Sequence, residues 1–147
     1  MKYESPRWTE TGASRIALLP EGLVWVAVKP GVEQTPHLAR ENLNAAIALG
    51  GGVRRPILVD LRGAVPLEPE ARRVYMDKKI AAAFSRIAMV IQGDCMSRMM
   101  VGVYMVAARP PVPMRVFTDA GKAADWLSPS RRYLKDADDG AYEIILQ

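Results

Sequence analysis

The sequence predicts an α/β fold, a mixed sheet that opens with an antiparallel hairpin, continues in parallel strands and carries helices packed on it. Three observations predict it. RIALLPEGLVWVAVKP, from Arg15 to Pro30, sets two arms rich in β-formers around Glu21-Gly22. Short apolar runs then recur at Pro56 to Leu61, Ile87 to Gln92 and Met114 to Thr118, each followed by a helical pattern. Finally, Thr35-Pro36 opens a helix, with a capping hydroxyl and a proline at the first helical position, and Gly50-Gly51-Gly52 stops it. The order that results is β-β-α-β-α-β-α-β-α.

Taken in turn, WTETG ahead of the hairpin is a further edge strand or an ordered arm. Leu38, Leu43, Ala46, Ile47 and Leu49 place apolar groups mainly on one face of the first helix. PILVDL reads as a central strand covered on both faces, and a helix follows from Pro69 towards Phe84 with a break near Asp77. IAMVIQ is the next buried strand, and Gly93-Asp94 leads into the helix CMSRMMVGVYMVAA. MRVFT is another strand; Asp119 caps a last helix whose packing side is Ala120, Ala123, Ala124 and Leu127. Residues 1–127 thus form one domain, with 1–13 as its arm or edge strand. The tail, 128–147, ends in AYEIILQ, which either adds an edge strand, here or on a neighbouring protomer, or frays.

Composition narrows the function classes. At 147 residues, half of them hydrophobic and a quarter charged, the chain has the size and content of one globular domain. Cys95 is the only cysteine and His37 the only histidine. Unless a partner chain contributes, this removes His/Cys zinc clusters and the usual Ser-His or Cys-His nucleophile pairs. No cofactor is implied and no residue is marked as catalytic. No run approaches the roughly 18 apolar residues of a membrane helix, and MKYESPRWTE has no signal-peptide core, so a cytoplasmic protein is expected. The net charge is +4: 17 basic against 12 acidic residues up to Leu127, and 3 against 4 beyond it. The excess lies in doublets (Arg54-Arg55, Arg72-Arg73, Lys78-Lys79), which reads as a solvated surface, and nucleic acid is not an expected partner.

LVWVAVKPGVE, ILVDLRG, EARRVY, IAMVIQGDCMSR and PMRVFTDAGKAADWL, in that order from about Arg15 to Leu127, resemble the STAS domains, the SpoIIAA-like fold of anti-sigma-factor antagonists. The likeness is nearest to a bacterial branch labelled STAS/SEC14-like. It implies a SpoIIAA-like (STAS) scaffold and a regulatory protein partner, a kinase or anti-sigma factor. Signalling members carry a phosphorylated serine or threonine where the helix after the VDL-type strand begins. Leu67 to Glu70 correspond to that place here and bear no hydroxyl. Glu68, Pro69 and Glu70 either simply start a helix well, the carboxylates complementing its dipole, or hold in permanent form part of the charge of a phosphorylated residue.

In an open α/β sheet, ligands gather at the carboxyl ends of the strands. Asp60, Arg62, Gly63, Glu68, Glu70, Arg72, Asp94 and Arg98 fall there and form the candidate edge for a protein partner or an anion. The acids either pair with the arginines and hold the loops, or leave an anion pocket. Met96, Met99, Met100 and Val103 share one helical face at i, i+3, i+4 and i+7. That face is core against the sheet or a groove for an apolar ligand; Tyr104, off it, leaves surface for a homodimer contact. The leading expectation is a non-enzymatic regulatory interaction module, and the alternative is a carrier or sensor of a small lipid or anion.

Overall fold

The computed structural model describes residues 6–94, 112–128 and 142–143. The hairpin forms as its turn residues dictate. β2 (Ser14–Leu18) and β3 (Val24–Val28) pair antiparallel, Arg15 opposite Ala27, and Gly22 supplies the positive φ of the turn. β1 (Thr9–Glu10) adds an antiparallel edge to β2, so the WTETG stretch does contain a strand. The arm beyond it is anchored: the Gly12 N–H donates to Glu41 Oε1 at 2.7 Å, and Lys29 Nζ donates to the Thr11 carbonyl at 2.7 Å.

α1 (Pro36–Leu49) starts where its cap is, with Thr35 Oγ1 accepting from the Leu38 N–H, and ends at Gly50. Its buried stripe is Ala39, Asn42, Leu43 and Ala46, so Leu43 and Ala46 lie on it as the sequence suggested, joined by Ala39 and Asn42. Leu38 instead lies over Gly12, while Ile47 and Leu49 are half-buried against the core. β4 (Arg55–Asp60) is interior, parallel to β3 on one side and to β5 (Phe84–Val90) on the other. Its register with β5 slips at Pro56, which has no N–H to give to a ladder.

Between them the expected helix is two: α2 (Pro69–Val74) and α3 (Lys79–Ala83), separated around Asp77. There the Asp77 carboxylate accepts the Lys79 N–H at 2.9 Å and restarts the helix. The second, α3, ends at Ala83, just short of Phe84, as expected. Phe84 opens β5, opposite Arg55, and is buried, so this strand begins three residues before the run IAMVIQ that marked it in the sequence. β6 (Met114–Phe117) lies parallel to β5, and α4 (Ala120–Leu127) follows with Asp119 Oδ1 accepting the Lys122 N–H. β7 (Tyr142–Glu143) pairs antiparallel with β6, so part of the tail completes this chain's own sheet.

The described strands make one seven-stranded mixed sheet in chain order, β1 to β7. On one face α1, α2 and α3 enclose Ile16, Val24, Val26, Leu43, Ile57, Ile80 and Ile87. On the other, α4 seals Leu58, Ala88, Val90 and Phe117 with Ala123 and Leu127. Leu58 is wholly buried there, worth roughly 1.5–3 kcal/mol on its own. Over β2 and β3 the cover on this second face comes from Trp8, set edge-on to Trp25 at 6.2 Å, with the Arg15 guanidinium 4.6 Å above the Trp8 ring. Among the described residues, no helix is long and apolar enough to cross a membrane.

Candidate functional site

The carboxyl ends of the parallel strands carry the candidate edge. Asp60 is the last residue of β4, flanked by Ala27 of β3 and Val90 of β5. The chain leaves the sheet after Leu61, whose N–H donates to the Val90 carbonyl, and turns tightly as the Ala64 N–H reaches the Leu61 carbonyl. This turn folds Arg62 back on Asp60. Arg62 Nε donates to Oδ1 at 3.0 Å, Nη2 to Oδ2 at 2.7 Å, and the Arg62 backbone N–H to Oδ1 at 3.1 Å. One carboxylate thus takes three donors from one residue, a two-pronged geometry that lysine could not supply.

The aspartate is mostly buried and the arginine half-exposed, 16% against 46%. The Asp60 hydrogen bond holds the Arg62 guanidinium above its ordinary range, with the charges of Asp60 and Asp119 adding to it and partial burial opposing. Asp119, the cap of α4, follows β6 at the same carboxyl end of the parallel strands and so belongs to this edge, although nothing but its capping role marked it in the sequence. Gly63 continues the turn at φ +80°, and its carbonyl accepts the Gly31 N–H at 3.2 Å. A Cβ on Gly63 would stand 3.1 Å from Pro30, so the loop after β4 lies against the loop after β3. Gly93 lies near Thr118, which brings the exposed Asp94 beside the end of β6.

Of the predicted edge residues, then, the structure joins Asp60, Arg62 and Gly63 tightly and brings Asp94 to the same end. Glu68 is the residue before α2, extended and exposed, with no side-chain capping bond; Glu70 stands exposed in the first turn. Arg72 is half-buried on the same short helix, whose Ala71 is fully buried where α2 packs on α1. No hydrogen bond or ion pair described in the structure ties these three to the Asp60–Arg62 pair. Arg98 and the face of Met96, Met99, Met100, Val103 and Tyr104, with Cys95, lie outside the described residues. His37 is exposed on α1. Among the described residues, no group of three His, Cys, Asp or Glu is placed to hold a metal ion.

Sequence reasoning missed a second polar cluster altogether. Asn42 Nδ2 donates to the Tyr75 hydroxyl at 3.1 Å, Tyr75 donates to Gln34 Oε1, and Thr11 Oγ1 reaches Asn42 Oδ1 at 3.5 Å. Burial pushes the Tyr75 phenol up to about 12, against the smaller opposite pull of the Asn42 bond. Four segments meet here: the arm, the loop before α1, α1 itself and the end of α2. One signal was legible, since Asn42 stands at i+3 from Ala39, a polar residue on the buried stripe.

Fold and edge together define a small α/β domain with a mixed sheet and a charged loop rim at its carboxyl end. The chain belongs to the family described as a domain of unknown function (DUF7793), whose model matches residues 17–131. That span opens within β2 and closes just past α4, so it takes in the parallel core and the whole charged rim. No curated protein and no solved structure matches the chain.

Proposed function

We propose that this chain is a non-enzymatic, STAS-like interaction module that binds a regulatory protein through the carboxyl end of its sheet. The observation that carries the reading is the Asp60–Arg62 fork, which fixes the loop leaving the interior strand. Downstream of that fixed loop, Glu68 and Glu70 stand exposed at the entry to α2. From Arg62 to Val74 no side chain carries a hydroxyl, so the segment from this loop through α2 has no phosphoacceptor and phosphorylation does not switch its charge. Rim charges of this kind steer encounter and set register, and they favour a partner presenting basic side chains to the two glutamates. The alternative of a carried apolar ligand rests on the helix from Cys95, outside the described residues, and gains no observation.

The test is capture of partners from the source cell on the immobilised full chain, followed by titration calorimetry with the purified partner. Glu68→Ser, Glu70→Ser and Arg62→Ala, made singly, are expected to weaken that binding by about tenfold where the residue is at the interface. No enriched protein, or an affinity unmoved by all three, refutes the proposal. Heat from phosphate-bearing small molecules that disappears in Arg62→Ala would reassign the edge to an anion pocket.

A further inference from the structure

We propose that the sheet face under α4 carries a second binding site, for an extended acidic segment of a protein partner. Two arginines and two aromatic rings build it in one unbroken chain of contacts. The Arg86 guanidinium lies 4.9 Å from the centre of the Trp126 ring, Trp126 meets Phe117 at 5.8 Å, and the Arg115 guanidinium lies 5.2 Å from the Phe117 ring. Arg86 Nη1 also donates to the Trp126 carbonyl at 3.1 Å. Three elements, β5, β6 and α4, thus hold both guanidinium groups in place.

Strand register sets the arginines side by side. Arg115 stands opposite Ala88, and Arg86 lies two residues before Ala88 on the same side of β5. Their backbones are therefore roughly 8 Å apart, one strand spacing across and two residues along. Among the described residues, no ion pair joins either arginine to a carboxylate. Arg86 is exposed, and the Nε of the half-buried Arg115 is shielded from solvent with no hydrogen-bond acceptor. A covered donor left unpaired is costly, and an incoming carboxylate relieves that cost.

The chemistry selects the occupant. A guanidinium presents a planar fork that matches a carboxylate. In an extended chain, side chains two residues apart point the same way and stand about 6.6 Å apart, close to the separation of the two arginines. Acids at alternate positions of such a segment can meet both. A nucleic-acid strand needs open ring faces on which to stack its bases. Here Arg86 lies over Trp126, and Phe117 is buried. A second copy of this chain, meeting the face with its own, would set arginine against arginine.

Fluorescence anisotropy of a labelled peptide alternating glutamate with threonine, titrated with the full chain, tests this. The peptide should bind and be released by raised salt, and its glutamine counterpart should not bind. Arg86→Gln and Arg115→Gln should each weaken binding about tenfold, the loss of one charge-assisted pair. Arg86 is exposed, so Arg86→Gln should keep the wild-type thermal midpoint and carries the test even where Arg115→Gln unfolds. Lys79→Gln, an equal loss of charge on α3, should bind as wild type does. No binding of the glutamate peptide, or a Lys79→Gln loss as large as that of Arg86→Gln, overturns the proposal. Single-stranded DNA bound more tightly than the peptide, with the same loss in Arg86→Gln, overturns it and gives the site to nucleic acid. Peptide binding that appears only in Glu143→Gln, the position opposite Arg115 on β7, would mean that the chain's own acid fills the site, and overturns it too.

Discussion

The side-chain amide of Asn42 donates to the hydroxyl of Tyr75 at 3.1 Å, inside the protein, where α1 meets the end of α2. With Gln34 accepting from the same hydroxyl, this one oxygen ties the end of the helix that carries Glu70 and Arg72 to α1 and the loop before it. Tyr75→Phe removes it and leaves two amide groups underpaired among residues that are almost wholly buried. The expected cost is about 1–3 kcal/mol in urea unfolding. An unchanged midpoint would show that the cluster contributes nothing.

The same tyrosine predicts a pH effect. Its folded-state value, about 12, lies above the ordinary 10. The unfolded chain therefore loses this proton first, and stability falls as pH rises from about 10 through about 12. Comparing the pH dependence of unfolding in wild type and Tyr75→Phe isolates this group from the lysines that titrate in the same range. The variant should show a shallower fall.

Gly63→Ala meets two obstacles, a φ of +80° and a rigid proline ring 3.1 Å from the new Cβ. A loss of about 1–2 kcal/mol is expected, with the loop after β4 pushed off Pro30. Faster amide exchange at Gly31, whose N–H is held by the Gly63 carbonyl, would report the displacement directly.

Arg62→Lys keeps the charge and loses the fork. Because the arginine is half-exposed, the stability cost should be small, about 0.5–1 kcal/mol, and reduced by salt. Partner affinity should fall as far in Arg62→Lys as in Arg62→Ala. If lysine restores binding, geometry is not what the edge requires.

Thr35→Ala deletes the hydroxyl that accepts the Leu38 N–H at the start of α1. About 1 kcal/mol should be lost, and Thr35→Ser should recover most of it. Thermal unfolding of the three proteins suffices to check this.

Features written into neighbouring residues were legible in the sequence. Thr35-Pro36, Asp119 and the Glu21-Gly22 turn each act within four residues of themselves, and each stands where expected. The Asp60–Arg62 pair was legible for the same reason, two residues apart at a strand end. Features that need two distant segments were not. Nothing near Phe84 says that Arg55 is its partner, and alanines before it favour a helix. Nothing near Asn42 announces Tyr75. The doublets Arg54-Arg55 and Lys78-Lys79 looked scattered because only the fold, through the Arg54–Ala81 bond, makes them neighbours.

The sheet's strands stand side by side in the order in which they are synthesised. Each strand that emerges from the ribosome finds its docking partner already in place, so no later segment has to thread between finished ones. A nascent chain stalled once Val90 has cleared the exit tunnel should therefore already resist protease across the β2–β4 region. Sensitivity there until β7 emerges would mean that assembly waits for the whole chain.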